Sequence, residues 1–283
     1  MQLPALVEPI AFQGLECFRL SVGAASAIVS RLGAQVLSWI DAAGRQRLFL
    51  SEHAKFDGSV AIRGGIPVCF PQFSGLGELP KHGFVRTRLW DRAQTQTAGE
   101  SGSLTLRCAD NAATSALWPH AFELQIEVTL GLAALEVGLV VRNTGGAPIS
   151  FTGALHTYLA VDDIDAVVLR GLQGHVYRDA ANGNQIHTES DPQLRFVQEV
   201  DRVYHSVQRP LTISEGADSL SIAGSGFPDV VVWNPWKALC RGLPDMLPDG
   251  YRNMVCVEAA VAQVPAVVAP GRQWTGSQIL GYA

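Results

Sequence analysis

This chain has no surplus of positive charge, no paired cysteines, no long apolar run and almost no helical periodicity, and each absence removes a class of function. Lys and Arg number 21 against 26 Asp and Glu, a formal net charge of −5. A general nucleic-acid surface needs the opposite balance, because it must neutralise phosphates along one face. The five cysteines, Cys17, Cys69, Cys108, Cys240 and Cys256, form no CxxC pair and no spacing that frames a zinc site. They read as reduced, mostly buried thiols of a reducing compartment. No stretch approaches the roughly 18 uninterrupted apolar residues of a membrane span. The opening MQLPALVEPIAFQG carries an acid and two prolines where a secretory leader has a basic start and an apolar run. A cytoplasmic protein is the expectation. Nor is there a low-complexity segment, a block of like charge, or a repeat period of about 20 to 50 residues that would indicate a solenoid or propeller.

What is present is hydrocarbon in short, strand-length pieces. Apolar residues make up 47% of the 283 and charged residues 17%, enough for a large core. Segments such as Ala27 to Ile40, Ser103 to Cys108, Leu211 to Ser214 and Val230 to Trp233 are apolar or alternating and end in turn residues. The stretch from Phe122 alternates most clearly. Phe122, Leu124, Ile126, Val128 and Leu130 fall on one side and Glu123, Gln125, Glu127 and Thr129 on the other, before a turn over Gly131 to Ala134 leads into Leu135 to Arg142. Only a turn of helix near Ser115 to Leu117 suggests itself. Many strands, with 28 glycines and 15 prolines among them, predict an all-β protein built as a large antiparallel β-sandwich. No linker interrupts the pattern, so one domain over residues 1–283 is expected.

Polar residues that break apolar strand patterns carry the chemistry, since a buried ionisable group is costly unless paired or used. In IRGGIPVCFPQF, Arg63 precedes two glycines and reads either as a surface residue at a sheet edge or as a planar fork for an anion. In LPKHGFVRTRLW, Lys81, His82, Arg86 and Arg88 form a local positive patch that a solvated loop would also explain. In LHTYLAVDDI, His156 would share one face of a strand with Ala154 and Tyr158, either as a structural histidine or as a group able to exchange a proton near neutral pH. Glu258, inside the apolar run MVCVEAAV, is the least expected residue of the chain: an edge glutamate facing water, or a buried base. Asp229 stands at the mouth of the apolar run that Trp233 and Trp236 close.

Taken in order, RGGIPVCFPQF, HGFVR with Trp90 beyond it, LHTYLAVDDI, PDVVVWNPW and MVCVEAA resemble the aldose 1-epimerase superfamily, and specifically its hexose-6-phosphate mutarotase branch. GAQVLSW before them and APGRQWTGSQIL after them fit the same resemblance, which departs at Thr87 and in the wording of Lys237 to Gly250. The resemblance implies a galactose-mutarotase-like sandwich, with His156 as catalytic acid and Glu258 as catalytic base. It implies that His82 and Asp229 bind the sugar and that Arg63 and Arg86 hold a phosphate. It implies a monomer that opens and recloses the ring of a hexose 6-phosphate, with no metal or organic cofactor and no nucleic-acid or membrane partner. Three other readings remain: an epimerase of unphosphorylated sugars, which has no use for paired arginines; a binding module that stacks sugars on Trp233, Trp236 and Tyr158; and a glycoside hydrolase, which would need Asp229 and Glu258 to flank a bond.

Overall fold

The alternation read from Phe122 onward sets the architecture. In the computed structural model, which describes residues 5–282, strand Phe122–Gly131 buries every second residue and pairs with Ala134–Asn143 across a tight turn, Leu130 opposite Leu135. Met1 to Pro4, the start of the segment read above for a leader, lie outside the described residues. That hairpin lies within a nine-stranded sheet that extends through Ser101–Ala109 to the exposed edge strand Asp91–Ala98 on one side, and through Gln273–Tyr282, Asp218–Ser225 and three further strands on the other. Every pairing in it is antiparallel.

An eight-stranded sheet carries the polar interruptions. Its order runs Gln185–Thr188, Val176–Asp179, Val200–Tyr204, Asp229–Asn234, Met254–Val268, Ile149–Leu155 and Val68–Cys69, with Tyr158–Ala160 also paired to Met254–Val268. A third sheet, the four-stranded meander from Leu6–Phe12 to Val36–Ile40, contributes Leu20, Ala27 and Trp39 to a core shared with both larger sheets. The fold is therefore all-β, a sandwich of antiparallel sheets.

One detail differs from the expectation and one agrees with it. Ala27 to Ile40 is not one strand: it divides into Ala25–Ser30 and Val36–Ile40, because Gly33 and Ala34 take left-handed φ of 72° and 49° and reverse the chain. The helical turn near Ser115 to Leu117 is real, Ala112–Leu117, and Asn111 starts it by accepting from the amides of Ala113 and Thr114 in a capping box.

Strand Met254–Val268 lies at the centre of the eight-stranded sheet. Val255, Val257, Ala259 and Val261 point into the shared core. Cys256, Glu258 and Ala260 therefore point to the opposite face, because side chains alternate along a strand. That second face is concave and floored by small residues, Ala154, Val203, Val231, Ala260 and Ala262 among them.

Candidate active site

His156 reaches this face by a break in the strand, where the sequence pattern suggested an unbroken one. Ile149–Leu155 pairs with Met254–Val268 up to Leu155 opposite Ala259, and pairing resumes at Tyr158 opposite Cys256. The offset is the same on both sides of the gap, so His156 falls opposite Glu258. The gap is pinned from below. Thr157 Oγ1 donates to Gln278 Oε1, and Gln278 Nε2 donates to Val257 O over 3.0 Å, which ties the gap to the facing sheet. Gln278 is a buried polar residue whose place beneath the site is invisible in a strand that otherwise reads as ordinary.

The result is a close pair. His156 Nε2 lies 3.3 Å from Glu258 Oε1, with the two residues 8% and 1% exposed. His156 Nδ1 and Glu258 Oε2 are buried without a hydrogen-bond partner. Burial pushes the Glu258 carboxyl well above the usual carboxylate range, and the Asp201 charge pushes it the same way. Burial, with His82, Arg63 and Arg86 nearby, pushes His156 well below the usual histidine value. Both shifts favour uncharged groups, so the pair holds one proton in total: carboxyl with neutral imidazole, or its tautomer, carboxylate with imidazolium.

The row continues away from the pair. Glu258 is opposite Val231, Val231 opposite Val203, and Val203 opposite Arg178. Strands are spaced by about 4.8 Å, so the Arg178 backbone stands roughly 14 Å from that of Glu258, with two valines between them as a low floor. The next row holds Tyr158, Cys256, Trp233 and Asp201. Above this floor is a cleft of about 240 Å³, lined by Arg63, Lys81, His82, Arg86, His156, Tyr158, Arg178, Asp201, Trp233 and Glu258, with Leu239 and Leu243 from the segment 236–250.

His82 enters from the opposite side on a left-handed turn. Its φ is 65°, and that of Gly83 is 72°. A Cβ on Gly83 would lie 1.9 Å from the Phe70 carbonyl oxygen, so only glycine lets the chain pass. The ring of His82 meets that of His156 edge-on at 5.2 Å. Burial, helped by Arg86 and Lys81, pushes its pKa down to about 3. Its Nδ1 accepts the Ser74 amide at 3.3 Å, which leaves the ring proton on Nε2 as a donor.

Arg63 is aimed by Gly65, whose Cβ would lie 2.1 Å from the Val36 carbonyl oxygen. Its Nε and Nη2 each lie 3.1 Å from Asp245 Oδ2, and Nη1 donates to the Tyr158 hydroxyl over 2.9 Å. Lys81, Arg86 and Arg178 stand differently. Among the described residues none of these three has a carboxylate within ion-pair distance; Arg86 donates to the Lys81 carbonyl and Arg178 to Asn184 Oδ1.

Five of the six residues singled out in the sequence thus meet in one cleft: Arg63, His82, Arg86, His156 and Glu258. Asp229 does not. It lies on the same face of the sheet, but Oδ2 accepts the amides of Ala262 and Gln263 at 2.9 and 2.8 Å, and Oδ1 faces His205 Nδ1 at 3.6 Å. Those amides belong to a bulge where the pairing jumps from Gly153 opposite Val261 to Phe151 opposite Ala266, and Asp229 holds it. Trp236 is also outside the cleft, against Tyr251 at 5.2 Å. Asp201 and Arg178 line the cleft and were not singled out. Each stands next to an opposite charge in a short strand, Asp201 beside Arg202 and Arg178 beside Asp179, a pattern shared with solvent-facing positions; burial raises the Asp201 pKa. His156, Cys256 and Glu258 place donor atoms within 4.8 Å of one another. Burial pushes the Cys256 thiol well above its ordinary value, which keeps its proton on sulfur and works against metal ligation.

A β-sandwich whose concave sheet carries an acid/base pair beside polar and cationic side chains belongs with the sugar mutarotases in fold. A structure from Salmonella typhimurium, provisionally described as a mutarotase, superposes with a TM-score of 0.91 at 28% identity, over 98% of this chain and 94% of that one. The family model for aldose 1-epimerase matches residues 16–281, and the chain belongs to that family. Relatives in Cenchrus ciliaris and Escherichia coli K12 both carry the provisional name glucose-6-phosphate 1-epimerase. The first is 37% identical over 86% of this chain and 77% of its own length, the second 35% over 81% and 78%.

Proposed function

We propose that this protein is a mutarotase of hexose 6-phosphates, with glucose 6-phosphate as substrate, Glu258 as base and His156 as acid. The observation that carries the reading is the His156–Glu258 pair in a cleft where Lys81, Arg86 and Arg178 have no carboxylate partner. An acid/base pair suits anomerisation of any aldose. Unpaired cations around it favour a substrate that brings its own dianion, because charge-assisted contacts to phosphate are not returned by a hydroxymethyl group.

In the reacting tautomer Glu258 is a carboxylate and His156 an imidazolium. Glu258 takes the proton from O1 while His156 gives its proton to O5; the C1–O5 bond breaks and C1 becomes an aldehyde carbon. After rotation about C1–C2, the O5 hydroxyl attacks the other face of C1, returning its proton to His156 as O1 recovers one from Glu258. Atoms and charge balance within the pair and the sugar. Acid/base assistance of this kind is worth about 10² to 10⁴-fold, and holding the sugar in place adds an orientational contribution. His82, through Nε2–H, and Asp201 bind ring and hydroxyl oxygens.

All five cysteines are free and buried, which supports a reducing, cytoplasmic setting. No helix among the described residues is long and apolar enough to cross a membrane. The working unit of this proposal is a monomer. The test is NMR exchange of α-glucose 6-phosphate toward anomeric equilibrium, with and without enzyme, beside free glucose and galactose. Much stronger acceleration of the phosphorylated sugar than of the free sugars is expected. Acceleration of free sugars alone would move the reading to the unphosphorylated substrates, and none would leave a binding module.

A further inference from the structure

A proton-transfer histidine usually has its ring orientation fixed by a hydrogen bond from the far nitrogen to a third group. His156 has none, because its Nδ1 is buried without a partner. Its orientation has another source. The Tyr158 ring lies parallel to that of His156, with centroids 4.8 Å apart and 11° between planes. Trp233 meets both rings edge-on, at 6.2 Å and 82° to His156 and 6.1 Å and 84° to Tyr158. Such offset and edge-on pairs are attractive beyond their buried area.

The Tyr158 ring is tethered in turn. Its hydroxyl accepts from Arg63 Nη1 at 2.9 Å, and the opposite edge of that guanidinium is held by Asp245. Asp245 belongs to the segment 236–250, which puts Leu239 and Leu243 against the cleft. Ser51 Oγ donates to the Asp245 carbonyl over 2.6 Å. Asn234 fixes the two ends of that segment, accepting from the Trp236 amide at 2.9 Å and donating to the carbonyls of Tyr251 and Met254 at 2.8 Å each.

We propose that Tyr158 is a positioning residue that holds the imidazole of His156 toward Glu258 by ring stacking, with Asp245 fixing Tyr158 through Arg63. The inference rests on the mutarotase reading for its kinetic consequence. It makes the covering segment part of the acid's alignment, since Asp245 is the only member of the chain Asp245, Arg63, Tyr158 and His156 drawn from that segment. Stacking suits the role because it fixes the ring plane without a hydrogen bond to either ring nitrogen, and so leaves Nε2 facing Glu258.

The test compares Tyr158→Phe and Tyr158→Leu with wild type on glucose 6-phosphate. The Phe variant keeps the stack and loses the tether; the Leu variant loses both. A misplacement of about 1 Å can cost about 10²-fold, so kcat should fall by that order in Y158L and by about tenfold or less in Y158F, with KM within about twofold of wild type in both. A Leu variant with wild-type kcat, or one whose KM rises as much as its kcat falls, would overturn the proposal. If the wild type accelerates no anomerisation, the mutarotase reading falls by itself. The positioning claim then rests on the His156 imidazole NMR signal, expected as a single resonance in Y158F and as several exchanging ones in Y158L; one sharp resonance in both would reject it.

Discussion

His156 Nε2 and Glu258 Oε1 stand 3.3 Å apart because two strand segments separated by a gap keep one register against the same partner, which puts residue 156 opposite residue 258. Backbone pairing alone brings an acid and a base together, and burial then decides their charge. The carboxyl is pushed up and the imidazole down. In the proposed mechanism a single proton shared between them passes to either side of the sugar without exchange with solvent.

Glu258→Gln tests both halves of that argument. Removing the base should cost about 10² to 10⁴-fold in kcat and leave glucose 6-phosphate binding within severalfold. The same change should raise thermal stability. The folded-state pKa of Glu258 lies well above the ordinary 4.5, so wild-type unfolding above that pH releases a proton that the folded state retains. The stability linked to this carboxyl is full below about pH 4.5 and is lost as pH rises toward the folded pKa. Gln does not ionise, so the Tm advantage of E258Q should grow between pH 4.5 and 8 in calorimetry. An advantage independent of pH would mean that Glu258 titrates normally.

Much of this is legible in the sequence. Alternation from Phe122 to Arg142 marks the hairpin, and a carboxylate inside an apolar run marks Glu258. Period-two reasoning works there because one face of each strand is buried and the other is not. It fails where a long-range partner decides the outcome. The same pattern that marked Glu258 marked Asp229, yet only the bulge at Ala262 and Gln263, formed against a strand about a hundred residues earlier, shows what that carboxylate binds. Asp201 and Arg178 went unnoticed for the converse reason: their burial comes from neighbouring strands and the segment above them. The break at His156 depends on Gln278, more than a hundred residues away.

Asp229 therefore should behave as a structural carboxylate. Asp229→Ala leaves two amides in the bulge without an acceptor, at about 1–3 kcal/mol for each one that stays buried, and should lower Tm by several degrees. Asp229→Asn retains an acceptor oxygen and should lie near wild type in Tm, with KM for glucose 6-phosphate within about twofold. A tenfold rise in KM at unchanged Tm in the Asn variant would return Asp229 to the sugar site.

Arg86 and Arg63 should separate in kinetics although both line the cleft. Among the described residues Arg86 has only a backbone carbonyl as hydrogen-bond partner, so its charge is available to a phosphate. Arg86→Ala removes charge-assisted hydrogen bonds worth about 1.5–3 kcal/mol, and KM for glucose 6-phosphate should rise by about tenfold to a hundredfold while that for free glucose barely changes. The penalty should shrink with added salt, because screening weakens the contribution of the lost charge. Arg63 already faces the Asp245 carboxylate and holds the Tyr158 hydroxyl. Arg63→Ala should therefore lower kcat on phosphorylated and free sugars alike, beyond any rise in KM for the phosphate ester. Steady-state anomerisation of both sugars by the two variants, at low and high salt, distinguishes the roles. Equal KM effects of R86A on both sugars would remove the phosphate from this end of the cleft, and an R63A enzyme altered only in KM for the 6-phosphate would make Arg63 a simple anion ligand with no part in aligning the acid.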